Sequence, residues 1–244
     1  MTLISIIIPY YKKRYYIRQT LQSILKQNYK NFEILLIYDD EDQTDLVLLK
    51  KLSKNDKRIK LIVNKKNIGA GMSRNKAIKL SKGNYIAFID ADDIWHRNKL
   101  QQQISFMKKN QINLCHTSYY IVNRNNKKIG LREAKELKFK SLLKSCDIGL
   151  STVMVKKKLL KNNFFPNLKK KEDYVLWLKL TKKKNTFYFI KKPLTSWRSL
   201  DNSLSSSIIQ KLIDGYNVYR IYMKQSFVQS IKSLFILSIN FLKK

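Results

Sequence analysis

The apolar positions along the chain fall into runs and stripes that alternate. Leu3 to Pro9 is a near-continuous apolar run, as expected of a strand buried on both faces. Tyr15 to Gln27 carries Ile17, Leu21, Ile24 and Leu25 at helical spacing. Phe32 to Tyr38 reads as a second buried strand that runs straight into Asp39. Thr44 is placed to cap a helix with Leu46, Leu49 and Leu52 on its apolar face, and Ile59 to Val63 reads as a third strand. A loop over Asn67 to Gly71 leads into a helix reaching Ser81, closed by Gly83. Tyr85 to Ile89 is a fourth buried strand with Asp90 to Asp93 at its carboxyl end, and Leu100, Ile104 and Met107 mark the next helix.

Strands alternating with helices predict an α/β fold: a mostly parallel sheet with helices on both faces. In such sheets ligands bind beyond the carboxyl ends of the strands. Two clusters of acids lie at such ends, after the second and fourth strands.

The second half is less regular. Ile112 to Val122 looks extended, Asn123 to Lys128 reads as a polar turn, and Phe139 to Lys144 as a short helix. Ser151 to Val155 and Phe187 to Ile190 read as strands, and Glu172 to Leu180 as a helix with a broad apolar face. From Ile208 onward the pattern is again helical. The expected division is 1–205 for one domain (a nucleotide-binding half, 1–95, and an acceptor-binding half, 96–205), then a basic amphipathic helical tail, 206–244.

Composition and segment character change this picture in four ways. With 244 residues and 44% hydrophobic content the chain can bury one sizeable core, and its 3 prolines and 6 glycines argue against a Pro/Gly linker. Cys115 and Cys146 fit neither a zinc pair nor a redox CxxC, so a reducing, cytoplasmic setting is expected. Met1 to Tyr10 lacks the charged start of a signal peptide, and no apolar stretch approaches the ~20 residues of a spanning helix. The net charge of +33 leaves three readings open: nucleic-acid binding, attraction to an anionic membrane surface, or a coding bias toward lysine.

Against that basic background the acids are informative. There are only 17, and most fall in three groups: Asp39, Asp40, Glu41, Asp42 and Asp45; Asp90, Asp92 and Asp93; Glu172 and Asp173. Like charges held together cost energy, so a cation or a proton to manage is expected. Turn and helix-cap chemistry is the competing explanation for any one group, including Asp93 as a cap of the following helix.

Five segments in order carry a resemblance. They are Ser5-Ile6-Ile7-Ile8-Pro9-Tyr10-Tyr11, Phe32 to Asp40, Asn67-Ile68-Gly69 with Ser73-Arg74-Asn75-Lys76-Ala77, Gly83 to Asp93, and Glu172-Asp173-Tyr174-Val175-Leu176-Trp177-Leu178. Together they resemble the family 2 glycosyltransferases of the GT-A (nucleotide-diphospho-sugar transferase) fold, over residues 3 to 200. The resemblance implies an inverting transfer of a sugar from a nucleotide-sugar, UDP-linked by expectation, to an acceptor hydroxyl in surface polysaccharide or lipopolysaccharide synthesis. The implied acceptor is a glycan or lipid-linked glycan at the cytoplasmic face of the cell membrane, with no nucleic acid as partner.

Roles follow from that implication. Departure of a diphosphate calls for Mn²⁺ or Mg²⁺, held by Asp92 with Asp90 as second ligand or ribose partner. Asp39 accepts from the base, Pro9 and Tyr11 pack on it, and Asn67 shapes the loop against the nucleotide. Arg74 supplies a cation near the base or diphosphate, with a solvated helix residue as the competing reading, and Arg198 closes over the diphosphate, with a strand-end Arg in solvent as the alternative. Asp173 is the expected base, with Glu172 beside it. His96, His116 and Trp177 are expected to be structural. Three departures from the family's pattern stand out: Glu41-Asp42-Gln43-Thr44 replaces a Gly-Ser continuation, Leu200 stands where many members carry His, and Lys12 where many carry Asn.

Two other readings remain open at this level. A nucleotidyltransferase of similar layout would want a Gly-rich phosphate loop after the first strand, and Tyr10 to Arg14 contains no glycine. A nucleic-acid-binding protein would have no use for three groups of acids.

Overall fold

A computed structural model of the chain describes residues 2–168, 170–200 and 208–242. The expected boundary at 205/206 lies outside the described residues. The first half folds as its pattern predicts: β1 (Ile4–Tyr10), α1 (Arg14–Leu25), β2 (Phe32–Tyr38), α2 (Leu46–Lys54), β3 (Ile59–Val63), α3 (Ala70–Leu80) and β4 (Tyr85–Phe88). β1 pairs in parallel with β2 and with β4, and β2 in parallel with β3.

The second half adds β5 (Ile94–Trp95), α4 (Lys99–Lys109), β6 (Leu114–Val122), β7 (Lys128–Arg132), α5 (Phe139–Leu142), β8 (Met154–Lys156), α6 (Glu172–Lys182) and β9 (Tyr188–Arg198). The sheet continues without a break in the order β3-β2-β1-β4-β8-β6-β9-β5, with β7 on β6. It is mixed here: β8 runs antiparallel to both β4 and β6, while β6 and β9 are parallel. The α/β class is as the pattern predicts.

Several local expectations need correction. The segment expected to be extended from Ser151 begins as a 3₁₀ turn, Leu150–Thr152, and the strand starts at Met154. Its turn carries side-chain work described below. Two-residue β5 is too short to leave a periodic signal, and it exists because β9 runs far beyond the expected Ile190 to pair Thr195 and Ser196 with it.

Alternation along β1 and β2 divides the core. Ile4, Ile6, Ile8, Ile34 and Leu36 face α1, α2 and α4, meeting Ile17, Leu21, Leu49, Leu100 and Ile104. Ile7, Leu35 and Ile37 face α3 and α6, meeting Ile78, Val175 and Trp177. Each fully buried side chain of this size stabilises the fold by about 1.5–3 kcal/mol. Trp177, His116 and Cys115 lie buried in this interior, as expected of structural residues.

The tail forms α7 (Ile208–Asn217), a π-helical turn over Val218–Tyr222 and α8 (Phe227–Leu242). It is tied to the domain: Val218, Tyr219 and Leu237 join the α6 side of the core. Tyr219 Oη lies 3.0 Å from Tyr174 Oη and donates to Leu143 O at 2.8 Å. On α8, Phe227, Val228, Ile231 and Phe235 remain exposed. At 100° per residue these four fall within one narrow arc of the helix. Among the described residues no helix is long and apolar enough to cross a membrane.

Candidate active site

The ends of β2 and β4 and the start of α6 carry the acids, and α3 links them. Asp39 follows β2 and is 2% exposed. Its Oδ1 accepts from Asn64 Nδ2 at 2.8 Å and from Ile68 N at 2.9 Å. Asn64 also donates to Ser73 Oγ on α3 at 2.9 Å. Among the described residues no hydrogen bond reaches Asp39 Oδ2. Asn67 donates to Asp39 O at 2.8 Å and accepts from Gly69 N at 3.1 Å, which shapes the loop into α3. Gly69 sits at φ 84°, a conformation glycine adopts without steric cost.

One residue beyond Ser73, Arg74 leaves α3 on the interior side. It is 4% exposed, so it is no solvated helix residue. Nη2 donates to Asp90 Oδ1 at 2.7 Å and Nη1 to Glu172 Oε1 at 2.7 Å. Burial opposes its charge, but Asp90 and Glu172 outweigh burial and hold the guanidinium more firmly protonated than usual. The close approach of α6 to α3 depends on Gly71, where a Cβ would lie 3.0 Å from Glu172 Cγ and 3.2 Å from Pro166 O.

The acids beyond β4 divide their work. Asp90 is a third exposed at its side chain. Asp92 is 9% exposed and its Oδ2 meets Lys13 Nζ at 2.7 Å. Burial raises the Asp92 pKa, opposed by Lys13. Asp93 is buried and does not cap α4, contrary to the helix-cap expectation. Its Oδ1 accepts from Arg198 N at 2.9 Å and its Oδ2 from Ser151 Oγ at 2.5 Å. Burial and the Asp92 charge push the Asp93 carboxyl well above the usual range. Asp93 thus ties the end of β9 and the 3₁₀ turn at Ser151 to the acidic loop.

At the start of α6, Asp173 is half-buried and accepts from Tyr174 N at 2.7 Å. Burial first, and the Glu172 charge second, push its carboxyl up to about 7, with Arg74 opposing. The two adjacent acids differ in their partners: Glu172 is paired to Arg74 at 2.7 Å, while Asp173 accepts only from the backbone of Tyr174 among the described residues.

The remaining expected residues are placed as follows. Pro9 is buried within β1, and Tyr11 is 41% exposed beside it, with Lys12 Nζ over its ring at 5.2 Å. The Arg198 guanidinium is spent inside the protein: Nε donates to Asp92 O at 2.8 Å, Nη1 to Arg124 O at 3.0 Å and Nη2 to Gln19 Oε1 at 3.0 Å. In the first acidic group, Asp42 caps the 3₁₀ turn before α2, accepting from Thr44 N at 2.9 Å, so the expected cap Thr44 is itself capped. Asp45 accepts from Tyr10 Oη at 2.5 Å and from Arg14 at 2.8 Å.

Residues not singled out by the sequence also matter. Lys13 reaches Asp92, Ser151 holds Asp93, and Asn64 holds Asp39. Asn64 alone carried a usable signal, since it follows directly on the carboxyl end of β3.

The donor set suits a hard divalent ion. Asp90 and Asp92 offer carboxylate oxygens at one strand end, and among the described residues no group of three or more acid, His or Cys side chains forms a closed metal cage. Mg²⁺ and Mn²⁺ commonly take one or two carboxylates and complete their shell with substrate phosphates and water. Asp90 and Asp92 would hold such an ion.

A family model described as Glycosyl transferase family 2 matches residues 5–168. The chain belongs to this family. It is 43% identical over 184 residues to the UDP-Glc:alpha-D-GlcNAc-diphosphoundecaprenol beta-1,3-glucosyltransferase WfgD of Escherichia coli, covering 75% of this chain and 71% of that protein. It is 31% identical over 220 residues to the putative teichuronic acid biosynthesis glycosyltransferase TuaG of Bacillus subtilis, covering 89% of this chain and 87% of the relative. The structure of Staphylococcus aureus TarS 1-349 in complex with UDP-GlcNAc superposes with a TM-score of 0.74 at 22% identity, over 96% of this chain and 70% of that one. The architecture of this glycosyltransferase is the GT-A fold.

Proposed function

We propose that this glycosyltransferase moves a hexosyl group from a UDP-linked sugar to a hydroxyl of a lipid-linked glycan, with inversion, in surface polysaccharide or lipopolysaccharide assembly. The observation that carries this reading is Arg74. It joins Asp90 and Glu172, acids far apart in the chain, at 2.7 Å each. Ser73 beside it joins the Asp39 network. One helix thereby gathers three acidic groups at one edge of the sheet.

Each group then has a chemical task. Asp39 Oδ2 accepts from the N–H of a uracil-like base, with Tyr11 packed on the ring and Asn67 holding the loop. Asp90 and Asp92 would hold Mn²⁺ or Mg²⁺, which would supply positive charge against the departing diphosphate. Arg74 keeps Asp90 and Glu172 oriented. Asp173, unpaired by Arg74 and raised toward neutrality, takes the proton from the acceptor hydroxyl as it attacks the anomeric carbon. Arg198 braces the Asp92 loop from behind; this is the role its hydrogen bonds favour over direct contact with diphosphate. The exposed apolar arc of α8, on a chain of net charge +33, suits a peripheral contact with an anionic membrane where such an acceptor resides.

A donor screen with Mn²⁺ or Mg²⁺, scoring release of nucleoside diphosphate, tests the reading. UDP release is expected with at least one sugar when a diphospho-lipid glycan is supplied. Asp92→Asn is expected to abolish metal-dependent donor binding in calorimetry. Donor binding that is indifferent both to metal and to Asp92→Asn would overturn the metal assignment.

A further inference from the structure

We infer that Lys13 is a displaceable internal cation, which occupies the Asp92 carboxylate until a divalent ion takes it. This rests on the proposed metal role of Asp92. Its basis is the 2.7 Å ion pair between Lys13 Nζ and Asp92 Oδ2.

The two partners differ in freedom. Asp92 is fixed, nearly buried at the strand end, with its carbonyl held by Arg198 Nε at 2.8 Å. Lys13 has an anchored backbone and a partly exposed side chain. Its carbonyl accepts from Tyr16 N and Ile17 N at 3.0 Å each, at the entry to α1, while its side chain is 32% exposed. A lysine ammonium is a point charge on a flexible stem, and it releases one ligand for another without rebuilding a planar fork. Arg74, buried and bound at both ends, has no such freedom.

The arrangement solves a problem set by the fold. Asp90, Asp92 and Asp93 crowd one turn, and a buried carboxylate without a counter-charge is costly. Lys13 supplies that charge in the resting protein. Two cations at one carboxylate repel each other, so Lys13 competes with a metal ion at Asp92. Removal of Lys13 therefore tightens metal binding, the reverse of what a residue that helps hold the metal would do.

The test is titration of the full chain with Mn²⁺ alone, without nucleotide, following free Mn²⁺ by electron paramagnetic resonance. Lys13→Gln is expected to bind Mn²⁺ about three- to tenfold more tightly than wild type, the range of a half-exposed charge pair. Lys13→Arg restores the competing charge and is expected to stay within about twofold of wild type. Asp92→Asn is expected to lose binding. Thermal melting gives a second readout: Mn²⁺ should raise the melting temperature of Lys13→Gln more than that of wild type. Equal or weaker Mn²⁺ binding by Lys13→Gln, with Asp92→Asn still abolishing it, would overturn the inference and leave the metal site intact. Wild-type behaviour of Asp92→Asn would instead remove the metal site, and this inference with it.

Discussion

The two ends of the site handle negative charge in opposite ways. At the junction of α3 and α6, Arg74 is 5% exposed at its side chain and grips Asp90 and Glu172. At the entry to α1, Lys13 is 32% exposed and holds Asp92 alone. Burial makes the first junction architectural, because a guanidinium shared by two carboxylates cannot leave without stranding both. Exposure makes the second exchangeable. Asp173 stands beside the rigid junction yet outside its grip, which suits the proton-accepting role proposed for it.

The sharpest way to break this contrast is at Asp173. Asp173→Asn should lower kcat by about 10²–10⁴-fold while leaving UDP affinity within about twofold, read by steady-state kinetics and calorimetry. Turnover near wild type would remove Asp173 as the base. Next in size is Arg74→Met, which should destabilise the fold by about 2–3 kcal/mol in urea unfolding, below the usual loss for a buried pair because Asp90 is partly exposed. It should also weaken donor binding. The same change at Lys13, a half-exposed pair, should cost about 1 kcal/mol or less.

A pH profile sharpens the contrast further. The Asp173 carboxyl is raised to about 7, so the base form fills only as pH rises through that value. kcat/KM should climb between about pH 6 and 8 and level off above, and a flat profile over that window would argue against this base. The sign for stability is the opposite. The folded protein holds this proton between the ordinary carboxylate pKa of about 4 and 7 while the unfolded chain does not, so the Asp173 contribution to stability falls as pH rises through that window.

The smallest effect concerns Lys12, at φ 49°. Left-handed backbone is disfavoured for most side chains and better tolerated by Asn. Lys12→Asn should therefore stabilise the fold by about 0.5 kcal/mol in the same urea assay. A loss of stability would mean that the Lys12 contact with the Tyr11 ring outweighs the backbone term.

This residue also marks where sequence reading stopped. Asn at that position was visible as the more usual choice, but the reason, a positive φ, is a property of the folded turn. The first half was legible because its strands are buried on both faces, so Ile4 to Tyr10 and Phe32 to Tyr38 leave unbroken apolar runs. β5 and β7 were not, because a two-residue strand and an exposed edge strand leave no run to read. The acids announced themselves by contrast with a lysine-rich background. Their partners did not: nothing in the local pattern around Lys13 or Ser151 marks them as neighbours of Asp92 and Asp93, which lie far away in the chain. Arg74 was noticed, but its burial between two acids depends on α6 arriving against α3.

That arrival has a consequence for recombining parts of related enzymes. Residue 71 belongs to α3, while the atoms that a side chain there would press on, Glu172 Cγ, Pro166 O and Phe165 Cβ, belong to α6 and the loop before it. A hybrid that sets a foreign α6 against this α3 keeps the present close approach most easily where position 71 stays glycine. An alanine there would ask Glu172 and its neighbours to give by a few tenths of an ångström, beside the point where Arg74 spans α3 and α6.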